Sequence, residues 1–217
     1  MATKAYIGMG MEGSIARWYE RNTAKDMAEF RHLAGRIAGF LPAGSAVLEV
    51  APGPGFLAVE LAKRGFAVTG LDISRTFVEL ARKNAESAGV SIGFQQGDAS
   101  HTPFADRSFD FLVCRAAFKN FADPIGALKE MQRVLKPGGR GLIVDLRRDA
   151  SMGDIAAYVD GLGLSFVSNL LIKLTFHTML LPRAWRAEDF AKMLKRIPFR
   201  HTEIALNAIG MEIWLDA

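Results

Sequence analysis

A glycine-rich turn and two aspartates stand where short apolar segments of this sequence end. The turn is APGPG at residues 51–55, Asp72 ends the segment AVTGLD, and Asp98 ends the segment FQQGD. If these segments form neighbouring parallel strands, their ends meet at one edge of a sheet, where ligands bind. Asp72 could then accept both hydroxyls of a ribose, and Asp98 the amino group of an adenine. The arrangement predicts an adenosine pocket.

The glycine turn by itself leaves several ligands to consider. A phosphate-binding P-loop would need a Lys-Ser or Lys-Thr pair after its glycines, and no such pair follows here. A dinucleotide fingerprint needs three glycines, but the corresponding positions hold Ala51, Gly53 and Phe56. A turn that only reverses the chain stays open, as do plain capping or turn roles for the two aspartates.

Short β-branched apolar runs alternate with helical patterns, which predicts a parallel sheet covered on both faces. The predicted strands are Ala46–Val50, Ala67–Leu71, Ser91–Gln96, Phe109–Cys114 and Gly141–Leu146, and the helices between them are Phe56–Arg64, Arg75–Ala88 and Pro124–Leu135. Two strands around Asn207–Gly210 are expected to form an antiparallel pair at the sheet edge. The predicted fold class is α/β: a doubly wound, mostly parallel seven-stranded sheet with helices on both faces and a helical cap inserted after the fifth strand.

The alternation predicts a single domain over residues 1–217. We expect an N-terminal helical cap over 1–43, a ligand-binding core over 44–146, a helical insertion over 147–186, and a final helix with edge strands over 187–217. Ser74 is the expected N-cap of the second core helix, because its hydroxyl can accept a backbone N–H there.

Charge and cysteine content exclude several classes of function. The single cysteine, Cys114, permits no intrachain disulfide and no multi-cysteine zinc site, and the four histidines are scattered, so no metal is expected. No uninterrupted apolar run reaches about 18 residues and the N terminus lacks a secretory pattern, which predicts a cytoplasmic protein without a membrane span. The net charge is +4, but the basic residues lie in short separated groups, so nucleic acid is not the expected partner.

An ordered set of motifs resembles the class I S-adenosylmethionine-dependent methyltransferases. The set consists of VLEVAPGPG at 47–55, GLDIS at 70–74, GDA at 97–99, HTPFADRSFDFLVCRAAF at 101–118 and RVLKPGG at 133–139. It covers about residues 44–146. The resemblance implies a seven-stranded Rossmann-like fold, S-adenosyl-L-methionine as cofactor and S-adenosyl-L-homocysteine as product.

The resemblance also implies which residues bind the cofactor. Gly53 and Gly55 would approach its methionine part, Glu49 would organise the turn and the methionine amino end, and Ala51 stands where the family usually has its first glycine. Asp72 would bind the ribose hydroxyls, Ile73 would pack on the adenine, and Asp98 with Ala99 would address the adenine amino edge. Tyr19 would close the pocket from the N-terminal helix, and Arg115 would contact the cofactor through its backbone.

Methyl transfer from a sulfonium is an in-line displacement with an activated leaving group, so proximity and orientation supply most of the catalysis. The expected acceptor is a small molecule, apolar or aromatic in character, that reacts at O, N, S or C. Asn120, which follows the fourth strand, and His177 are the candidate catalytic residues, the latter as a general base. His177 lies in the apolar stretch 165–181, which is expected to be either a lid over the substrate or part of the core.

Other basic and acidic residues near the same sheet edge have two interpretations each. Lys119 belongs either to the site or to a solvated helix start. Near Asp145, the arginines Arg147 and Arg148 could bind an acidic substrate group or form surface ion pairs. Two alternative functions also stay open: methylation of a macromolecule such as RNA or protein, and a non-catalytic sensor that binds the cofactor without turnover.

Overall fold

Five apolar segments pair as parallel strands, and two later strands extend the sheet in antiparallel fashion. The computed structural model describes residues 6–8, 10–24, 27–163 and 165–217. The strands are β1 Ala46–Val50, β2 Ala67–Asp72, β3 Gly93–Gln96, β4 Phe109–Arg115, β5 Leu135–Leu146, β6 His201–Leu206 and β7 Gly210–Asp216, in the order β3-β2-β1-β4-β5-β7-β6. Strand β7 pairs antiparallel with both β5 and β6. The predicted fold class is confirmed.

Eight α-helices surround this sheet in the described part of the chain. They are α1 Gly13–Thr23, α2 Met27–Ala38, α3 Phe56–Ala62, α4 Arg75–Ser87, α5 Pro124–Val134, α6 Met152–Asp160, α7 Phe166–Thr175 and α8 Ala187–Leu194. The predicted cap of α4 is confirmed, because the Ser74 hydroxyl accepts the N–H of Phe77 at 3.0 Å. None of the described helices is long and apolar enough to cross a membrane.

Strand β5 starts earlier than the sequence pattern predicts. Leu135, expected to end α5, instead pairs with Phe109, and Arg140 pairs with Phe111 two residues further along β4. The intervening residues 136–139 therefore bulge out of the ladder, with Gly138 at a φ of 78°. Pro137, Gly138 and Gly139 therefore lie in a bulge within β5 and not in a turn that precedes the strand.

Successive residues of the strands pack alternately into two separate apolar layers, one on each face of the sheet. Leu48 and Leu112 pack with α5 and α8 on one face, whereas Val47 and Phe111 pack with α2, α3 and α4 on the other. All four side chains are fully buried. Burial on both faces explains why the central strands are continuously apolar rather than alternating with polar residues.

The sheet order places a crevice at the carboxyl ends of β1 and β4. From β1 the chain proceeds outward to β2 and β3 on one side, then returns to β4 and β5 on the other. Connections that leave in opposite directions open a crevice where ligands bind in doubly wound folds. Ala51, Asp72 and Arg115 follow or end strands at this edge.

The segment after β5 forms the predicted helical cap. Helices α6 and α7 are followed by a π-helical turn, Phe176–Leu180, and a 3₁₀ turn, Leu181–Arg183. Ala150, Ile155, Val159, Phe176 and Leu181 form a third apolar cluster separate from the two sheet layers. The division of the chain at residues 43, 146 and 186 stays a prediction.

We predict that Gly70→Ala destabilises the sheet around the candidate site. A Cβ at Gly70 would lie 2.5 Å from Cδ1 of Phe94 and 3.2 Å from Cγ of Pro52. Such overpacking costs about 1–3 kcal/mol of unfolding free energy, measurable by denaturant unfolding. Gly93→Ala is the matched control, because its nearest neighbour would be Thr69 Oγ1 at 4.0 Å. Equal stabilities of the two variants would contradict the close approach at Gly70.

Candidate active site at the sheet edge

The turn between β1 and α3 uses left-handed backbone at three alternate positions. The φ angles are 56° at Ala51, 56° at Gly53 and 78° at Gly55. A side chain is unfavourable at Gly55 for two reasons. The backbone is left-handed there, and a Cβ would lie 2.9 Å from Cβ of Ala81 on α4. The close approach of α4 explains why glycine stands directly before α3.

Ala51 is the one residue of this turn that carries a side chain in the left-handed region. Its N–H donates to the carbonyl of Leu71 at 2.7 Å, which ties the turn to the end of β2. An alanine in this conformation costs about 1–2 kcal/mol relative to the right-handed form. Ala51, which stands where the resembled family usually has a glycine, is thus a point of backbone strain.

Asp72 fastens the same turn from the neighbouring strand. Its Oδ2 accepts the N–H of Gly53 and its Oδ1 accepts the N–H of Ser74, both at 2.9 Å. The residue is buried, and burial raises the pKa of its carboxyl to about 6. A carboxylate has about four acceptor positions, so each oxygen keeps capacity for one hydroxyl donor.

Glu49, at the fourth position of β1, is the most deeply buried carboxyl beside the turn. Its Oε2 has no hydrogen-bond partner among the described residues. Burial raises the pKa of Glu49 to about 8, although a hydrogen bond from the Ala58 backbone and the charge of Arg115 act to lower it. A buried acceptor without a partner is costly, so the site favours a ligand that brings a donor or a positive charge.

The side chain of Arg115 turns away from the crevice, toward α2. Its guanidinium donates to Glu29 and lies 4.7 Å from the ring centre of Phe30. Only the backbone of Arg115, at the end of β4, stays at the sheet edge. This placement is compatible with the predicted backbone contact.

The other predicted cofactor residues lie on α1 or directly after β2 and β3. Tyr19 stacks edge-on against Phe77 with ring centres 5.6 Å apart, and its Cε1 lies 3.9 Å from the Cβ position at Gly53. Ile73 leaves 38% of its surface exposed.

Asp98 accepts the N–H and the hydroxyl of Ser100, both at 2.9 Å, so the turn role considered for Asp98 is present. Ala99 packs against the layer beneath α5.

Tyr6 belongs to the same neighbourhood, although no sequence motif points to it. It bridges to Phe121, and the next residue, Ile7, donates its N–H to the carbonyl of Asn120 at 3.0 Å. Burial and the charges of Asp72 and Asp145 raise the pKa of the Tyr6 hydroxyl, while Arg183 acts to lower it. The only local signal was an aromatic residue upstream of the first helix, which carries no motif.

Lys119 and Asp145 form a buried ion pair that the sequence does not reveal. The Lys119 ammonium donates to Oδ1 of Asp145 at 2.8 Å and to the carbonyl of Ala116 at 2.5 Å, and the Lys119 backbone N–H donates to Oδ2 at 2.9 Å. The solvated interpretation of Lys119 is therefore wrong. Arg147, in contrast, forms the expected surface ion pair with Asp149 at 3.0 Å.

The two candidate catalytic residues lie in different settings. Asn120 ends the 3₁₀ turn Phe118–Asn120 after β4 and is buried. His177 lies exposed on the π-helical turn of the cap. Within the described part of the chain, no hydrogen bond or ion pair links His177 to the strand ends. Their catalytic roles stay predictions.

We predict that Ala51→Gly stabilises the protein by roughly 0.5–1 kcal/mol, because relief of left-handed strain exceeds the backbone entropy that glycine adds to the unfolded chain. Ala51→Val should act in the opposite direction, since a β-branched side chain tolerates this conformation least. Thermal unfolding of the three proteins measures both effects. A lower melting temperature for Ala51→Gly would show that no strain is stored here.

A second prediction concerns the pH dependence of stability. The pKa of Glu49 rises from 4.5 to about 8 on folding, so the unfolded chain releases this proton first. Its contribution to stability is complete below pH 4.5 and is lost as the pH rises to about 8. Denaturant unfolding of wild type and Glu49→Gln should show the difference between their unfolding free energies changing by on the order of 5 kcal/mol across that window. A pH-independent difference would contradict the burial of a neutral carboxyl.

Comparison with known proteins agrees with this arrangement. A family model described as a methyltransferase domain matches residues 48–143, the region that runs from β1 to β5. A demethylmenaquinone methyltransferase from Chlorobaculum parvum is 35% identical over 164 residues, covering 72% of this chain and 66% of that protein. One of the same description from Deinococcus radiodurans is 42% identical over 107 residues, covering 48% and 44%. The chain thus spans between 44% and 66% of these two relatives.

A solved structure shares the fold along almost the whole chain. It is described as an S-adenosylmethionine-dependent methyltransferase of Methanococcus maripaludis, with a TM-score of 0.76 and 22% identity, and the match covers 99% of this chain and 96% of that one. Identity at this level speaks for the fold alone, but the matched family model covers the turn and both strand-end carboxylates. Residues 48–143 thus belong to a methyltransferase domain family, and the chain has the fold of S-adenosylmethionine-dependent methyltransferases.

Proposed function

We propose that the protein transfers the methyl group of S-adenosylmethionine to a small apolar acceptor. The observation that carries the proposal is the left-handed turn fastened to Asp72 beside the unsatisfied carboxyl oxygen of Glu49. The turn leaves room for backbone to approach a ligand, Asp72 keeps acceptor capacity for two hydroxyls, and Glu49 accepts a donor or cation. S-adenosylmethionine carries a ribose diol and an ammonium group with matching chemistry.

The cofactor assignment follows the positions of these groups. Asp72 would accept the two ribose hydroxyls, and Ile73, exposed directly after β2, would cover one face of the adenine. Asp98 and Ala99 would lie at the adenine amino edge. Glu49 would receive the methionine ammonium group across the turn. The positive charge of that ammonium group would draw the Glu49 carboxyl into its ionised form.

The methionine end of the cofactor would be enclosed by Gly53, Gly55 and Tyr19. The Tyr19 ring lies 3.9 Å from the position that a Cβ would take at Gly53, and so would narrow the site on the side of α1. Ala51 and the backbone of Arg115 would complete this end of the site. In this pose the sulfonium methyl would point toward the region of Asn120 and Tyr6.

We propose a ring-type apolar acceptor, such as a quinol, on the strength of the relatives named demethylmenaquinone methyltransferases. A ring carbon becomes nucleophilic when an adjacent hydroxyl gives up its proton, so such an acceptor needs a base. His177 is the candidate base, while the protonated Tyr6 hydroxyl and Asn120 would orient the acceptor. The Lys119–Asp145 pair would hold the floor of this region rigid. A cytoplasmic location is part of the same proposal.

The proposal predicts that Asp72→Asn weakens cofactor binding by about 10- to 100-fold, equivalent to roughly 1–3 kcal/mol for lost charge-assisted hydrogen bonds. Calorimetric titration with S-adenosylhomocysteine measures the change. Asp106→Asn is the matched control, because Asp106 is exposed and, among the described residues, forms its salt bridge with Arg133 alone. Unchanged affinity in a folded Asp72→Asn variant would remove the ribose assignment.

The activity itself is tested with methyl-labelled S-adenosylmethionine, the purified protein and a host cell extract, together with a demethylated naphthoquinol as a defined acceptor. Label in the organic-extractable fraction and in the methylated ring product is the expected result. Label in protein or RNA instead would assign a macromolecular acceptor. Cofactor binding without transfer in any fraction would contradict the proposed enzyme and support a sensor.

A further inference from the structure

Helix α7 carries a surface of large apolar side chains that the fold leaves uncovered. None of the residues of α7 is buried. Phe166, Val167, Leu170, Leu171 and Leu174, called here the α7 face, are between 54% and 85% exposed. Isolated apolar residues on a surface are ordinary, but a contiguous group of this size marks an interaction site.

The geometry of the helix shows that this face points away from the protein. At 100° per residue, the five side chains fall within an arc of about 140°. Ile172 falls roughly opposite the centre of that arc, and Ile172 is the α7 residue that packs against the apolar cluster of the cap. The helix is therefore apolar on both its attached side and its outer side, and core packing explains only the first.

The segment that carries the α7 face has an excess of positive charge. Residues 161–187 contain no aspartate or glutamate, whereas they include Lys173, Arg183 and Arg186. Lys173 is paired with Asp160 at 2.8 Å. Arg148 lies beside the end of this segment, because its N–H donates to the carbonyl of Trp185 at 3.1 Å. Within the described residues, Arg148, Arg183 and Arg186 form no salt bridge.

We propose that the α7 face inserts into the surface of an anionic lipid bilayer, with the exposed Arg148 and Arg186 directed to the headgroups. An apolar helix face flanked by cations is the arrangement that binds at a membrane interface without crossing it. The area of this face would suit either a bilayer or a protein partner, so the choice between them rests on charge. Arginines without a salt bridge in the described part of the chain favour an anionic lipid surface over a second copy of this chain, which would bring the same positive charges.

The cap that carries this surface also borders the candidate site. Arg183 follows α7 after the π-helical turn, and its charge acts on Tyr6 beside Asp72. A bilayer that holds the α7 face would thus lie near the region proposed for the acceptor. The membrane proposal itself stands on α7 and its flanking charges, whatever the acceptor is.

The test is co-sedimentation of the full chain with vesicles that contain equal parts of phosphatidylglycerol and phosphatidylcholine. The double variant Leu170→Ser/Leu174→Ser should bind at least about tenfold more weakly than wild type, since two inserted side chains are lost. Leu206→Ser is the matched control, because Leu206 is 51% exposed but lies on β6. It should bind like wild type, and circular dichroism should show that all three proteins are folded.

A second variant tests the charges. Arg148→Gln/Arg186→Gln should lower binding to the anionic vesicles by about tenfold and flatten its salt dependence, while changing binding to pure phosphatidylcholine little. Absence of wild-type binding to anionic vesicles would overturn the proposal. A dimer in analytical ultracentrifugation that the leucine variant abolishes would assign the face to a second copy and also overturn it. The assay contains neither cofactor nor acceptor, so its result is separate from that of the proposed function.

Discussion

The hydrogen bond from Gly53 to Asp72 joins the two elements on which the candidate site depends. Asp72 ends β2, while Gly53 lies in the turn that follows β1, and the bond of 2.9 Å holds them together across the crevice. The turn can meet Asp72 only because its backbone is left-handed at alternate positions. Local glycine content and the parallel register of β1 with β2 are therefore parts of one constraint.

Burial of carboxyl groups at this edge stores electrostatic free energy that a ligand can recover. The pKa values of Glu49, about 8, and Asp72, about 6, are both raised by burial. A cation or hydroxyl donor bound there would replace lost hydration, so the same desolvation that destabilises the empty protein increases selectivity for the ligand. Lys119 and Asp145 show the contrasting solution, in which the buried charges are already paired.

The cap combines two surfaces with different physical demands. Its inner side needs packing, which Phe176 and Leu181 provide in a cluster separate from the sheet. Its outer side is apolar without any such partner in the described chain, and the flanking arginines give it a positive surround. A mean sequence hydrophobicity cannot separate these two sides. Because no residue of α7 is buried, the core alternative for 165–181 does not hold over this helix, and the lid alternative stays a prediction.

Periodicity and turn chemistry were enough to predict most of the sheet. Strand β1 and the starts of β2 and β4 lie where the apolar runs begin, because strands buried on both faces leave continuous apolar signals. The early start of β5 at Leu135 was not predictable, since a bulge depends on the register with β4 and not on the residues of β5 alone.

The sequence by itself determined the class of fold and the identity of the turn and its carboxylates, because glycines, strand ends and ordered motifs are local features. Only the tertiary structure decided that Lys119 is paired, that Arg115 turns toward α2, and that Tyr6 joins the site. These facts depend on contacts between side chains that are far apart in the sequence. Burial also changes the free energy of a charged group far more than the residues next to that group in the sequence do.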